Sequence, residues 1–134
     1  MKHSIACIVF VNNKVLIGKR INKGQMGGRW EFPGGKVEEG EDTIAAIKRE
    51  FLEEFSVPVR VGSCIAEAYF EHNGEKVQLQ GYEVFFDTDN PQWVLTEHTE
   101  IDWVDINHIP QESFVDSDLL IYPQVLEYLK GKQS

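Results

Sequence analysis

Gly35-Lys36-Val37-Glu38-Glu39-Gly40-Glu41-Asp42-Thr43-Ile44-Ala45-Ala46-Ile47-Lys48-Arg49-Glu50-Phe51-Leu52-Glu53-Glu54-Phe55-Ser56-Val57 is the stretch on which the reading of this chain turns. From about Glu41 to Phe55 the apolar residues Ile44, Ile47, Phe51 and Phe55 recur at helical spacing and predict one buried stripe. Pro58 lies just beyond and ends the helix. With about 100° of rotation per residue, Glu50, Glu53 and Glu54 point within about 100° of one another, and about 100° away from the stripe. Three carboxylates therefore sit together at the edge of the buried face. Such crowding costs a few tenths of a kcal/mol per pair even when exposed, and a helix selected only for solubility would intersperse lysines.

An oxygen-only set of this kind suits Mg²⁺ or Mn²⁺, which also favour phosphate oxygens. Arg49 supplies a fixed cation that can brace Glu53 one turn on or orient a ligand carboxylate. Just upstream, Pro33-Gly34-Gly35 reads as a turn at which bare backbone approaches the same place, so that a carbonyl can join the donors. Glu41 reads as a supporting or helix-capping carboxylate more readily than as a direct ligand.

Around this helix the chain reads as strands. Ile5 to Val11, the Asn12-Asn13 turn and Lys14 to Gly18 predict a hairpin. Ile21 to Gly28 is a glycine-rich loop, and Trp30 to Phe32 a short strand. Val61 to Glu71 and Lys76 to Asp87 read as strands joined at Asn73-Gly74, Ile101 to Asp105 as another, and Tyr122 to Lys130 as a final helix that turns Val125, Leu126 and Leu129 inward. The expectation is one mixed α/β domain over residues 1–134, with the strand order left open. Trp30, Phe70 and Phe85 read as core, and His72, His98 and His108 as ordinary surface histidines.

Composition narrows the function. The 134 residues carry 13 basic and 22 acidic side chains, a formal net charge of −9. That balance opposes stable binding to the backbone of DNA or RNA but leaves room for a small phosphorylated ligand accompanied by metal. Cys7 and Cys64, far apart and outside any CxxC pattern, argue against thiolate zinc or a disulfide framework and read as two buried thiols. No apolar run reaches membrane-spanning length. A cytoplasmic protein, monomeric or weakly dimeric, with no membrane or nucleic-acid-polymer partner is expected.

The spacing Gly35, five residues, Glu41, seven residues, Arg49-Glu50-Phe51-Leu52-Glu53-Glu54-Phe55-Ser56-Val57 resembles the Nudix box, with every polar position matched. Ser56 is the departure, standing where that pattern has a glycine suited to a left-handed helix end; a cost of about 1 kcal/mol or less is expected there. The resemblance extends over roughly the whole chain. Trp30-Glu31-Phe32-Pro33-Gly34-Gly35-Lys36 is similar to the lead-in to the box in the MutT group, including its CTP pyrophosphohydrolase relatives. Arg20 resembles that group's phosphate-binding arginine, Glu97, six residues before Trp103, its loop glutamate, and Asp118 its base-contacting Asn or Asp.

What the resemblance implies is an α/β/α sandwich around a mixed β-sheet and Mg²⁺-dependent (Mn²⁺ possible) hydrolysis of a nucleoside triphosphate to monophosphate and diphosphate, in the manner of nucleotide-pool sanitation. It implies metal ligands among Gly34, Glu50, Glu53, Glu54 and Glu97, and catalytic roles for Glu53, Glu97 and Arg49, the general base being Glu53 or Glu97. Substrate contacts fall at Arg20, Glu31, Phe32, Pro33, Gly34 and Asp118. CTP or dCTP-type pyrimidines and 8-oxo-dGTP are the substrates expected. Two other readings stay open: a Nudix enzyme for nucleotide sugars or dinucleoside polyphosphates, and a ligand-sensing module without activity, against which the intact Glu50, Glu53 and Glu54 argue.

Overall fold

Residues that alternate along a strand face opposite ways, and in this protein the two ways are occupied by two different helices. A computed structural model describes residues 1–24, 26–87, 91, 93–96 and 98–132. In chain order its elements are β1 (Lys2–Ile8), β2 (Phe10–Val11), β3 (Lys14–Arg20), β4 (Trp30–Glu31), β5 (Gly34–Lys36), α1 (Thr43–Phe55), β6 (Val59–His72), β7 (Glu75–Phe86), β8 (His98–Asp105) and α2 (Asp116–Lys130), with short 3₁₀ turns at Ile106–His108 and Gln111–Ser113. On β1, Ile5 and Cys7 join Ala46, Ile47, Phe51 and Phe55 of α1, together with the following Val9. The intervening Ala6 and Ile8 join Ile121, Val125 and Leu129 of α2. On β3, Leu16 faces α1 while Val15 and Ile17 face α2. The two cores are the two faces of an α/β/α sandwich, and Phe51, fully buried, contributes about 1.5–3 kcal/mol by leaving water.

Between the helices lie two four-stranded sheets. One has the order β5-β1-β7-β6 and is mixed: β1 runs parallel to β7 and antiparallel to β5. In the other, β3 is central, pairing antiparallel with β2, β4 and β8. Both turns expected from sequence hold, with positive φ at Asn12 and Asn13 (53° and 65°) and at Asn73 and Gly74 (51° and 77°), the conformation that two-residue hairpins require.

Several expectations are corrected. The Pro33-Gly34-Gly35 turn is largely strand: Gly34 and Gly35 pair with Ala6 and Ile5. Glycine is required at 34 because a Cβ would lie 2.0 Å from the Ile5 carbonyl oxygen. The helix α1 begins after Asp42, whose carboxylate caps Ala45 N at 3.2 Å, so Ile44 falls in the first turn, is 47% exposed and leaves the stripe to Ala46. The final helix starts at Asp116, six residues ahead of Tyr122, and tolerates Pro123 inside it. Cys7 is buried but Cys64 is exposed. At Ser56 the helix ends as a glycine would end it, with φ 59° and ψ 33° and the amide returned to the Leu52 carbonyl. Among the described residues, no helix is long and apolar enough to cross a membrane.

Candidate active site

Where the two sheets and the start of α2 meet, a cleft of about 540 Å³ opens, lined among others by Ser4, Arg20, Glu31, Phe32, Gly34, Gly35, Glu54 and Asp118. The two ends of this cleft are built differently.

At one end stands the acidic helix. Its organiser is Arg49, whose Nε and Nη2 grip both oxygens of Glu41 at 2.6 and 2.9 Å. The same guanidinium donates through Nη1 to Glu50 at 2.9 Å and Glu53 at 3.1 Å, and through Nη2 to the Lys36 carbonyl at 3.1 Å. Arg49 thus ties the loop before the helix to three carboxylates on or near it. The bond from Arg49, seconded by the Glu38 amide, holds the Glu41 carboxyl down to about 2. Glu41 is thereby committed to Arg49 and to the Glu38 amide. Burial pushes the Glu50 carboxyl up, against the opposing pull of Arg49.

The three glutamates are not equivalent. Glu53 is 60% exposed at its side chain, Glu50 is largely covered, and Glu54 is buried and faces the cleft. Gly35 is what lets Glu50 lie against the strand: a Cβ there would meet the Glu50 carboxyl carbon at 2.5 Å. The bare backbone of Gly34 and Gly35 beside two covered carboxylates forms a cradle of oxygen donors, a chemistry that fits a divalent ion. Among the described residues no three His, Cys, Asp or Glu side chains converge as a finished metal cage. Mg²⁺ is usually held by one or two carboxylates and completed by water and substrate phosphates. Glu50, Glu54 and the Gly34 carbonyl are the groups that would hold it. Glu97 lies outside the described residues. Beneath this end the Cys7 thiol is pushed well up by burial and then by the charges of Glu54, Glu50 and Asp118, which removes it as a nucleophile.

At the other end the groups come from four distant segments. Arg20 ends β3 and donates to Glu31 Oε1 at 3.1 Å. Glu31 Oε2 is 2.8 Å from His98 Nε2. Asp118, in the first turn of α2, accepts the Phe32 amide at 3.0 Å. Burial, followed by the neighbouring Glu31 charge, pushes its carboxyl up to about 8. Phe32 itself is 2% exposed and meets Phe114 edge to face at 5.1 Å, so it presents backbone more than ring. The Pro33 carbonyl is taken by the Cys7 amide at 2.6 Å, inside the sheet. Trp30 and Phe70 pack against the α2-side core, and Phe70 also lines the cleft. Phe85 carries the Arg60 guanidinium 5.3 Å from its ring centroid. Lys23 and Lys36 join Arg20 in the lining, so that three cations face the cleft together with Glu31, Glu54 and Asp118.

His98 corrects the sequence reading. Its side chain is fully covered, stacked on Phe55 at 5.3 Å and 10° between planes, whereas His72 and His108 lie at the surface as expected. The signal that marks it is Gly18, a glycine inside a strand: a Cβ there would meet His98 Cδ2 at 2.6 Å.

The model of the NUDIX domain matches residues 1–125. The chain is 34% identical over 80 residues to the CTP pyrophosphohydrolase of Escherichia coli (strain K12), covering 60% of this chain and 59% of that protein's own length. It is 33% identical over 122 residues to the oxidized purine nucleoside triphosphate hydrolase of Danio rerio, covering 90% of this chain and 76% of that one. Among solved structures, that of the E. coli ORF135 protein superposes with a TM-score of 0.83 at 25% identity, over 97% of this chain and 91% of that one.

Proposed function

This chain belongs to the Nudix family, and on that premise we propose that it is a Mg²⁺-dependent nucleoside triphosphate pyrophosphohydrolase acting on CTP- or dCTP-type nucleotides or on 8-oxo-dGTP. The observation that carries this reading is one cleft whose lining joins Glu54 of the box helix and the bare Gly34-Gly35 backbone, suited to metal, to the cation of Arg20, suited to phosphate, and to the buried Asp118, suited to a base. The length of chain shared with the Danio rerio enzyme supports it.

Nudix hydrolases generally use a divalent metal ion; bound at Glu50, Glu54 and the Gly34 carbonyl, it would neutralise phosphate charge and polarise a phosphoryl oxygen. The protein's own groups do the rest. Arg20, Lys23 and Lys36 draw the triphosphate to the rim and orient it for in-line attack. A water oxygen bonds to phosphorus, the bond to the diphosphate oxygen breaks, and the proton released goes to Glu53 or Glu97. Arg49 keeps the carboxylates of the helix in place while this charge moves. Asp118, held by the Phe32 amide, reads the base edge.

A panel of nucleoside triphosphates, nucleotide sugars and dinucleoside polyphosphates, assayed with Mg²⁺, Mn²⁺ or excess EDTA and read for diphosphate against phosphate, tests the proposal. Diphosphate release from CTP, dCTP or 8-oxo-dGTP, absent in EDTA, is the expected result. Full turnover in EDTA overturns the metal-dependent reading, turnover confined to nucleotide sugars or dinucleoside polyphosphates overturns the substrate class, and binding without turnover makes the domain a sensor.

A further inference from the structure

Strand β3 brings three elements around one histidine. Across β3, Gly18 pairs with Glu31 of β4 and Arg20 with His98 of β8, the register with β8 shifting between Lys19 and Arg20. His98 thus comes to Glu31 from β8. Its ring is gripped by Phe55 at the end of α1, by the bare Cα of Gly18 and by the carboxylate of Glu31. A carboxylate only accepts, so Nε2 of His98 carries the proton it shares with Glu31. Glu31 has one oxygen committed to His98 and the other to Arg20. The Arg20 guanidinium, at the end of this chain of contacts, is 41% exposed at its side chain and borders the cleft, while its Nε is buried and has no partner among the described residues.

An arginine side chain surrenders considerable rotamer freedom when held in one place. Arg20 stands at a strand end with a glycine-bearing loop after it, so backbone alone does not aim it. The only side chain that the structure bonds to it, among the described residues, is Glu31. Glu31 is in turn a long, rotatable carboxylate on a two-residue strand. His98, immobilised by stacking and by close packing, is the rigid member of the three.

We propose that His98 is a positioning residue: by fixing Glu31 it holds the Arg20 guanidinium at the cleft, and through the end of α1 it couples the aim of that cation to the box helix. The inference rests on the reading of Arg20 as a phosphate contact, and its test separates the two. The order of the Arg20 Nε–H, measured by ¹⁵N relaxation on the full chain without ligand, reports positioning directly and needs no activity. In wild type it should be as rigid as the strand. His98→Phe, which keeps a ring against Phe55 and loses the donor, and Glu31→Gln should each mobilise it. His98→Gln, which restores an N–H donor, should largely recover it. With CTP as the probe, His98→Phe should raise KM about tenfold with kcat changed far less, as expected for the loss of one hydrogen bond to a charged group. In an Arg20→Ala background the same substitution should change KM by less than about twofold, because coupled residues do not add.

If Arg20 Nε–H stays equally ordered in every variant that folds, or if His98→Phe raises KM as much without Arg20 as with it, His98 is a packing residue and the proposal fails. Should Phe prove too large beside Gly18, His98→Leu removes the donor in a smaller side chain and is read in the same way, an Arg20 Nε–H left as ordered as in wild type overturning the proposal. An ordered Arg20 that depends on His98, in a wild type that turns over no nucleotide, upholds the positioning and overturns the substrate reading instead.

Discussion

The carboxylate end and the base end of the cleft are held by opposite kinds of physics. Arg49, Glu41, Glu50, Glu53 and Glu54 lie within fourteen residues of each other, spaced by one helix and its lead-in, and Arg49 pairs with Glu41, Glu50 and Glu53, of which Glu53 alone is well exposed. Arg20, Glu31, His98 and Asp118 come from β3, β4, β8 and α2, and three of the four side chains are largely or fully covered. The exposed Glu53 pair contributes about 0–1 kcal/mol, so Glu53 can be altered with little cost to folding, while the covered Glu41, Glu50 and Glu54 need shape-keeping replacements to separate chemistry from folding. Buried polar groups cost about 1–3 kcal/mol when left unmet, so changes at the second end should mix stability with specificity.

The sharpest way to break that contrast is to neutralise the carboxylates. Glu54→Gln, which keeps the shape of a buried side chain facing the cleft, should lower kcat by a factor on the order of 10² or more with the melting temperature little changed. Glu53→Gln should do so to a similar extent if Glu53 is the general base, and barely at all if the base is Glu97. Steady-state kinetics on the two variants, with thermal melts alongside, would show whether loss of activity and loss of folding are separable at this end.

Asp118→Ala should show the other behaviour. Removing the acceptor of the Phe32 amide should cost about 1–3 kcal/mol of stability, and flatten the preference for CTP or 8-oxo-dGTP over UTP and GTP by a similar amount. A variant that kept the wild-type ranking of nucleotides would remove Asp118 as the base reader. The same carboxyl gives the base end a pH signature. Pushed up to about 8 by burial first, it retains in the folded chain a proton that the unfolded chain has already released across the interval from the ordinary carboxylate range to about 8. Its contribution to stability therefore falls as pH rises through that interval and levels off above it. Asp118→Asn should remove this slope from a plot of melting temperature against pH.

Arg20→Ala comes next in size, with KM rising about tenfold and kcat nearly kept, since a phosphate contact made in ground and transition states alike changes binding alone. Unchanged KM for every active substrate would return Arg20 to the surface. Smallest of all, Ser56→Gly should raise stability by about 1 kcal/mol or less by relieving a left-handed residue at the end of α1, with kcat and KM unaltered; a fall in melting temperature would mean that the serine is doing something more than ending the helix.

The acidic helix was readable because helical geometry is local. Once α1 is recognised, the directions of Glu50, Glu53 and Glu54 follow from rotation per residue, and the bracing of Glu53 by Arg49 from the i,i+4 spacing. What rotation does not supply is depth. Only the packing of α1 on β1 and β3 makes Glu54 buried and leaves Glu53 in solvent, because neighbours from other elements decide what covers each side chain. The same limit explains Ile44, whose spacing suited the stripe but whose place in the first turn lies beyond the sheet's cover.

Asp118 and Arg20 were found by resemblance and not by pattern, since neither has a local spacing that points to the cleft. His98 departs from its sequence expectation because a histidine beside polar residues has no local sign of burial, and only Phe55, Gly18 and Glu31, from three other elements, close on it. By itself, then, the amino-acid sequence determined the helix with its three carboxylates, the two asparagine-bearing hairpin turns and the presence of strands on either side of that helix in the chain. All of these are set by bonds and rotations among neighbours in the chain. Tertiary structure alone decided which carboxylates are covered, that Gly34 and Gly35 are strand instead of turn, and that four remote segments meet around Arg20. Those outcomes depend on strand order and register, which arise from the joint burial of both faces of the sheets and are not written in any one segment.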